Sequence, residues 1–484
     1  MPGITLLGLG PGDPHQLTRE AWELLSSADE VYLRTRQHPT VNGFPSSVKI
    51  HSFDELYENG DSFDEVYKAI TQKVLELGRR TEGVIYAVPG HPFVAESTCA
   101  EIARLARSEG LGLRIVEGLS FIEPTFSALG LDPFPRLTLF DALTLGQAHV
   151  PAFAPDTPVL IAQIYSRLVA AEVKSTLTAI YPDEHPVKLV HNAGTKDQIV
   201  EDLALFEIDR DERIGLLSVL FVPSLGEGKS LEAFQEIVAH LRAPNGCPWD
   251  REQTHASLRK HMLEESYEAI AAIDSGDFSA MREEFGDLLL QIMLNSQIAS
   301  EEGEFTVNDV LKGVYDKIIR RHPHVFGEVK VNGVDGVLAN WEKLKEGERK
   351  GEGKPDKGIL DGVPAALPAL SQGQEYQDRA ARVGFDWTEI DGVLDKVREE
   401  IEEIKRSETD GELASEIGDL FFALVNLARW KKVDAESALR GTNMKFKKRF
   451  AYVEQGAKKQ DRNLSDMTLE EMDGLWDEGK KLGL

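Results

Sequence analysis

Eight acidic residues in the second half of the chain form two sets with nearly the same internal spacing. Each set contains an ExxE pair followed by an ExxD pair. The first set is Glu265, Glu268, Glu284 and Asp287, and the second is Glu400, Glu403, Glu416 and Asp419. The ExxE pair recurs after 135 positions and the ExxD pair after 132. A single ExxE pair is usually solvated helix surface, but two sets in register indicate a duplicated unit with one function.

Helix geometry predicts where these carboxylates point. Acids three residues apart lie on one face of a helix. An apolar stripe at helical spacing borders Glu400 and comprises Val393, Val397, Ile401 and Ile404. The acids are therefore expected where helices meet, and four of them would repel each other unless a cation neutralised them. Oxygen ligands without His or Cys favour Mg²⁺ or Mn²⁺. The alternative is a bundle rim whose acids pair with Lys and Arg.

A magnesium site of this kind suits a polyphosphate substrate. Bound Mg²⁺ polarises phosphoryl oxygens and lowers the pKa of a bound water. A Lys/Arg pair four residues apart follows each acid set, and its charges would hold anionic oxygens. The pairs are Lys317 with Arg321, and Lys445 with Arg449. Trp341 and Trp476 would either stack on a base or belong to the core.

The two copies differ next to their first glutamate. Four residues before it, the second copy has Lys396 and the first has His261. A fixed cation helps to hold a triphosphate more than a mostly neutral imidazole does. The second copy also has Asn443 where the first has Tyr315. We therefore expect the second copy to be the more competent site. The first copy is either active or mainly completes a pseudo-dimer.

Several further motifs accompany the acid sets. They are Gly246-Cys247-Pro248-Trp249-Asp250, Arg320-Arg321-His322-Pro323-His324-Val325-Phe326, Val383-Gly384-Phe385-Asp386-Trp387 and Asn443-Met444-Lys445-Phe446. With these motifs, residues 232–484 resemble the MazG family of nucleoside triphosphate pyrophosphohydrolases. The resemblance implies an all-α fold of helical bundles that usually dimerises. It also implies magnesium-dependent cleavage between the α and β phosphates, which yields a nucleoside monophosphate and pyrophosphate.

The N-terminal part begins with a different pattern. An apolar strand at 4–7 runs into the glycine-rich loop Gly8–Pro14, Thr18 can cap the helix that follows, and Val31–Leu33 predicts a second strand. A Rossmann dinucleotide site would need Gly at position 13, where this chain has Asp13. Pro11 would also disturb a helix N-terminus placed against a pyrophosphate. The sequence therefore argues against a site for NAD.

Residues 2–225 resemble the tetrapyrrole (corrin and porphyrin) methyltransferases. The resemblance rests on residues 8–14, 87–94, 116–120, 189–195 and 216–223. It implies two small α/β subdomains with S-adenosylmethionine in the cleft between them. Carried over by motif, the cofactor would contact Pro11, Gly90, His91, Val94, Ser120, Gln163 and Ala193. His91 stands where many members have an acid, which makes a tetrapyrrole substrate doubtful. The alternative is a retained fold with lost or changed chemistry.

Composition fits a multidomain chain of 484 residues. We expect domains at 1–225, 232–348 and 359–484, separated by linkers at 224–230 and 347–355 that are rich in glycine or charge. A net charge of −28 argues against a nucleic-acid surface. Two cysteines without a disulfide framework, no long apolar stretch and no leader-like N-terminus predict a cytoplasmic protein without a membrane partner.

Three interpretations of the whole chain remain open. The first is a nucleoside triphosphate pyrophosphohydrolase that uses magnesium or manganese and is joined to a methyltransferase-like domain that binds S-adenosylmethionine. In this interpretation the protein forms a homodimer. The second is primarily a methyltransferase whose helical half is a regulatory or dimerising module. The third is a non-catalytic nucleotide sensor. Intact acid sets and Lys/Arg pairs in both copies favour the first. No sequence feature indicates which base is preferred.

Overall fold

The computed structural model describes residues 3–59, 62–334, 336, 337, 340, 341, 344 and 358–484. The chain divides into two compact units, 1–245 and 246–484. Ser230, which ends the predicted first linker, caps helix Leu231–Arg242 and donates to the Asp156 carboxylate at 2.7 Å, so this helix belongs to the first unit. The second predicted linker, at 347–355, lies outside the described residues.

A parallel five-stranded sheet forms the first half of the N-terminal unit. Its strands are β1 Gly3–Gly8, β2 Glu30–Leu33, β3 Lys49–Ser52, β4 Val84–Val88 and β5 Gly112–Val116, in the order β3-β2-β4-β1-β5. The helices are α1 Arg19–Ser27, α2 Asp54–Asn59, α3 Phe63–Gly78 and α4 Ser97–Ser108. Thr18 caps α1 by accepting from the Ala21 amide at 3.1 Å, as predicted. The strand at 4–7 and its glycine loop are also confirmed.

A mixed sheet forms the second half of this unit. Its strands are β6 Thr138–Asp141, β7 Val159–Ala162, β8 Pro186–His191, β9 Ile199–Ala204 and β10 Ser218–Val222, in the order β6-β7-β10-β8-β9. The helices are α5 Ile122–Leu129, α6 Ala142–Gly146, α7 Arg167–Leu177 and α8 Leu231–Arg242. Each sheet has its own apolar core. The predicted pair of α/β subdomains is therefore confirmed.

The described part of the second unit is helical, as predicted. Its helices are α9 Pro248–Glu252, α10 His255–Ser275, α11 Phe278–Glu301, α12 Val307–Arg321, α13 Pro323–Phe326, α14 Ala369–Arg382, α15 Ile390–Arg406, α16 Asp410–Trp430, α17 Ala435–Lys459 and α18 Leu469–Lys481. Helix α10 packs along α11, and α15 packs along α16. These two antiparallel hairpins carry the two acid sets. No helix among the described residues is long and apolar enough to span a membrane.

Candidate functional site

The second acid set lies between α15 and α16. Helix α15 carries Glu400 and Glu403, and α16 carries Glu416 and Asp419. Carboxylate oxygens of Glu400, Glu416 and Asp419 lie within 4.8 Å of one another. Glu403 completes the set because its carboxylate lies close enough to raise the pKa of Glu416. The packing of two helices thus brings four acids from two sequence segments to one place.

Glu400 is the buried member of this set. Only 3% of its surface is exposed, and Lys396 Nζ lies 2.8 Å from its Oε1. Lys396 also contacts Glu399 at 3.1 Å, and these two hydrogen bonds raise the pKa of Lys396. Of the apolar stripe on α15, Val393 is buried, whereas Ile401 is 40% exposed. Glu400, seven residues or two helical turns after Val393, is the next buried residue of this helix.

Unneutralised charge remains on the second set despite Lys396. Desolvation raises the pKa of Glu416, and the carboxylates of Glu403, Asp419 and Glu400 raise it further. Acids held this close strongly favour a bound cation. The donor set consists only of carboxylate oxygens, so it fits Mg²⁺ or Mn²⁺ rather than a metal that prefers thiolate or imidazole.

The first acid set repeats this arrangement without the lysine. Carboxylate oxygens of Glu265, Glu268 and Glu284 lie within 4.8 Å of one another. Desolvation and nearby acids raise the pKa of Glu265 and of Glu284, and Asp287 contributes to both shifts. His261 lies 3.7 Å from Glu264, which is outside the predicted set.

The predicted phosphate-binding residues lie on the helix that follows each acid pair. On α17, Lys445 is exposed, whereas Arg449 is half-buried. The Arg449 guanidinium lies 5.7 Å from the Trp476 ring centre, and its Nε donates to the Leu484 carbonyl at 2.7 Å. The first copy repeats the cation–π pair, with the Arg321 guanidinium 5.7 Å from the Trp341 ring centre. Each of these tryptophans therefore lies beside an arginine in its own copy.

In the N-terminal unit, the predicted cofactor loops meet at the carboxyl ends of β1, β4 and β5. The Gly90 amide donates to the Gly10 carbonyl at 2.9 Å, which places Pro11 beside the loop at 90–94. A Cβ added to Gly8 would lie 2.5 Å from the Gly118 amide nitrogen, and one added to Gly118 would lie 2.6 Å from the Gly90 carbonyl oxygen. These backbones approach so closely that only glycine fits.

The remaining side chains of this loop cluster are held by local hydrogen bonds. Ser120 is 2% exposed, and both its amide and its hydroxyl donate to Glu123. The His91 Nδ1 accepts from the Phe93 amide at 3.1 Å, and the Val94 amide donates to the His91 carbonyl at 3.1 Å. The imidazole that replaces the expected acid thus takes part in its own turn.

The second sheet contributes the other two predicted residues. Strands β7 and β8 both pair antiparallel with β10, so they run in the same direction and end at the same edge. Gln163 follows β7 with a φ of 68°, a backbone conformation that is uncommon outside glycine and concentrates at functional sites. Ala193 follows β8, and a Cβ on the next residue, Gly194, would lie 2.9 Å from Gln16 Oε1. This edge therefore adjoins the loop at 10–16.

Sequence reasoning missed two buried charged groups in this unit. His191 Nε2 lies 3.0 Å from Asp211 and 3.6 Å from Glu201, and Arg213 pairs with both acids. Arg34 pairs with the buried Glu96. Sequence spacing does not predict either group, because partners up to 62 residues apart come together only when the strands take their order in the sheet. They stabilise the fold beside the loops.

Family models match both units of the chain. The tetrapyrrole (corrin/porphyrin) methylase model matches residues 3–209, and the MazG nucleotide pyrophosphohydrolase domain model matches residues 253–326 and 388–453. YabN of Bacillus subtilis, described as uncharacterised, is 42% identical over 99% of this chain and 98% of that protein. The nucleoside triphosphate pyrophosphohydrolase of Escherichia coli K12 is 44% identical over 51% of this chain and 95% of that protein. A uroporphyrin-III C-methyltransferase structure from Thermus thermophilus is 21% identical, covers 46% of this chain and 94% of that chain, and has a TM-score of 0.37.

The fold and the duplicated acid sets therefore define a two-part protein, with an α/β methylase-type unit followed by a helical unit of tandem MazG domains. The chain belongs to the MazG family, in the form that carries an N-terminal tetrapyrrole-methylase domain, the architecture it shares with YabN. Both resemblances inferred from the sequence are thereby confirmed.

Proposed function

We propose that the helical unit hydrolyses nucleoside triphosphates to nucleoside monophosphates and pyrophosphate with Mg²⁺ or Mn²⁺. The supporting observation is the convergence of the Glu400, Glu416 and Asp419 oxygens within 4.8 Å beside a lysine. The relative from Escherichia coli bears the name of this activity. The proposal concerns nucleoside triphosphates as a class.

The metal, when bound, polarises a phosphoryl oxygen and lowers the pKa of its water. The residues of the chain supply the rest. Glu400, Glu403, Glu416 and Asp419 would hold the ion and fix its position against the triphosphate. Lys396 and Lys445 would offset phosphate charge. Arg449 would bind phosphate oxygens from beside Trp476, whose ring would stack on a base.

We assign most of the turnover to the second copy. Lys396 places a fixed cation 2.8 Å from Glu400, whereas the acid beside His261 is Glu264, at 3.7 Å and outside the set. The first copy has a complete acid set and would bind metal as well. The domains proposed from the sequence motifs are 1–225, 232–348 and 359–484, although residues 232–245 pack with the first compact unit, and the last domain carries the main site.

The functional form is proposed to be a homodimer. An apolar stripe on α16 is substantially exposed and consists of Leu413, Ile417, Phe421 and Leu424. Helix α11 repeats this pattern with Phe285, Leu289 and Ile292, 132 positions earlier than Ile417, Phe421 and Leu424. Exposed apolar stripes on the helices that carry the acids suit coverage by a second copy of this chain. Sedimentation analysis should give twice the chain mass of 53.7 kDa, and Phe421→Asp should shift the protein toward one chain.

The N-terminal unit is proposed to bind S-adenosylmethionine at the loops that carry Pro11, Gly90 and Ser120. The supporting observation is the close backbone approach of β1, β4 and β5, which leaves a cradle that side chains would fill. Among the positions named above, His91 offers no acid to the methionine amino group, so binding is expected to be weak. Methyl transfer to a tetrapyrrole is not part of the proposal.

Two measurements test these assignments on the full-length protein. Triphosphate hydrolysis should require Mg²⁺ or Mn²⁺ and should stop with a chelator. Calorimetric titration should show S-adenosylmethionine binding that is independent of magnesium and survives Glu400→Gln. Hydrolysis that continues in excess chelator would reject the metal assignment. No heat at millimolar S-adenosylmethionine would leave the N-terminal unit a scaffold.

A further inference from the structure

The two acid sets differ in one built-in counter-charge. Lys396 Nζ lies 2.8 Å from Glu400 and 3.1 Å from Glu399, so the second set carries a resident cation. In the first set, no described Lys or Arg lies within 4 Å of Glu265 or its three partner acids, and His261 pairs with Glu264, outside the set. The first set therefore presents four acids without a fixed cation, and the second presents four acids with one.

A fixed positive charge opposes a second cation. A unit charge within about 5 Å of a divalent ion weakens its binding by about tenfold even in a water-like dielectric. Burial strengthens this effect at Glu400, which is 3% exposed. A bound triphosphate offsets this repulsion, because its oxygens both coordinate the metal and accept hydrogen bonds from the lysine ammonium.

We propose that the two copies load metal differently, with the first copy binding a divalent ion from solution and the second taking its ion up together with the nucleotide. This inference rests on the proposed hydrolase function. In this scheme Lys396 pairs with Glu400 until the triphosphate arrives, and its charge then offsets the phosphate. In the same scheme, the first copy is a standing metal site whose ion ties α10 to α11. Metal uptake at the second copy is then linked to the arrival of the triphosphate.

Equivalent residues in the two copies can be replaced to test whether the copies load metal differently. Mn²⁺ binding to the full-length protein is followed by electron paramagnetic resonance, with and without the α,β-methylene analogue of ATP, which cannot be cleaved between those phosphates. Without analogue, tight Mn²⁺ binding should disappear in Glu265→Gln and persist in Glu416→Gln. With analogue, additional Mn²⁺ should bind, and Glu416→Gln should remove that increment.

Exchanging His261 and Lys396 between the copies should exchange their Mn²⁺-binding behaviour. His261→Lys should weaken the nucleotide-independent site about tenfold. Lys396→His should give the second copy Mn²⁺ binding without analogue. Lys405→His is the matched control, because Lys405 pairs with the exposed Glu402 on the same helix at 2.7 Å, outside the acid set, and should change neither site.

Equal Mn²⁺ binding by both copies without analogue would overturn the inference, as would no binding by either. An unchanged second site in Lys396→His would also overturn it. These measurements are read without turnover, so they are independent of whether hydrolysis yields monophosphate and pyrophosphate. Failure of the hydrolase proposal and failure of unequal loading are therefore distinguishable.

Discussion

Replacing Glu400 by glutamine is the most informative single change in the second copy. Glutamine keeps the shape of a side chain that is 3% exposed and removes its charge. A divalent ion about 2.1 Å from a carboxylate oxygen gains about 4 kcal/mol from that charge even in the dielectric of water. Loss of this interaction in the transition state corresponds to roughly a thousandfold fall in kcat/KM.

The assay is steady-state hydrolysis of ATP with saturating Mg²⁺, with thermal unfolding as the check on folding. Glu402→Gln is the matched control, because Glu402 lies two residues away on the same helix and pairs with Lys405 on its exposed side. It should change kcat/KM less than twofold. Glu265→Gln should lower activity far less than Glu400→Gln. A larger loss in Glu265→Gln would show that the copies have been ranked in the wrong order.

Three further predictions concern the phosphate residues, the pH dependence and the N-terminal loops. Lys445→Ala should raise the KM for ATP without changing the melting temperature, because Lys445 is exposed. Arg449→Ala should raise the KM and also lower the melting temperature, because Arg449 donates to the Leu484 carbonyl. A lower melting temperature with an unchanged KM would make Arg449 purely structural. The raised pKa values of Glu265, Glu284 and Glu416 mean that the folded state keeps these protons to higher pH than the unfolded state. In the presence of a chelator, thermal stability should therefore fall as pH rises above the ordinary carboxyl pKa of 4.5, and Mg²⁺ should oppose this fall. A Glu284→Gln/Glu416→Gln variant should lose less stability over the same pH range. An identical pH profile for variant and parent would show that these carboxyls do not cause the fall. Gly118→Ala should abolish the heat of S-adenosylmethionine binding because its Cβ would lie 2.6 Å from the Gly90 carbonyl oxygen. Gly215→Ala should retain that heat, because the nearest atom to its added Cβ is the Arg213 carbonyl oxygen at 3.8 Å; full binding by Gly118→Ala would place the ligand elsewhere.

Hydrophobic periodicity and the internal repeat predicted the acid sets, the glycine loops and the division of the chain into two units. The register of the two acid sets was readable because i, i+3 spacing on paired helices fixes which side chains meet. The glycine loops were readable because Gly8 approaches the Gly118 backbone too closely for a side chain, and because Gly10 and Gly90 adopt a positive φ that favours glycine. The split into an α/β unit and a helical unit followed from the change of hydrophobic period between the two halves.

Other features required the fold itself. Burial of Glu400 with exposure of Ile401 depends on how α15 rotates against α16, which spacing alone does not determine. The contact between Arg449 and Leu484 joins residues 35 positions apart because α18 packs against α17. The His191 group forms only where β8 and β9 pair. Strand order and helix rotation are long-range properties, so local patterns leave them undetermined.

The products of nucleotide hydrolysis test the central claim most directly. The full-length protein is incubated with ATP and Mg²⁺, and the phosphorus-containing products are resolved by ³¹P nuclear magnetic resonance as they form. Cleavage at the metal-bound triphosphate should give AMP and pyrophosphate in equal amounts from the first turnover, and Glu400→Gln should suppress both together. ADP with inorganic phosphate as the first products would contradict the proposed reaction.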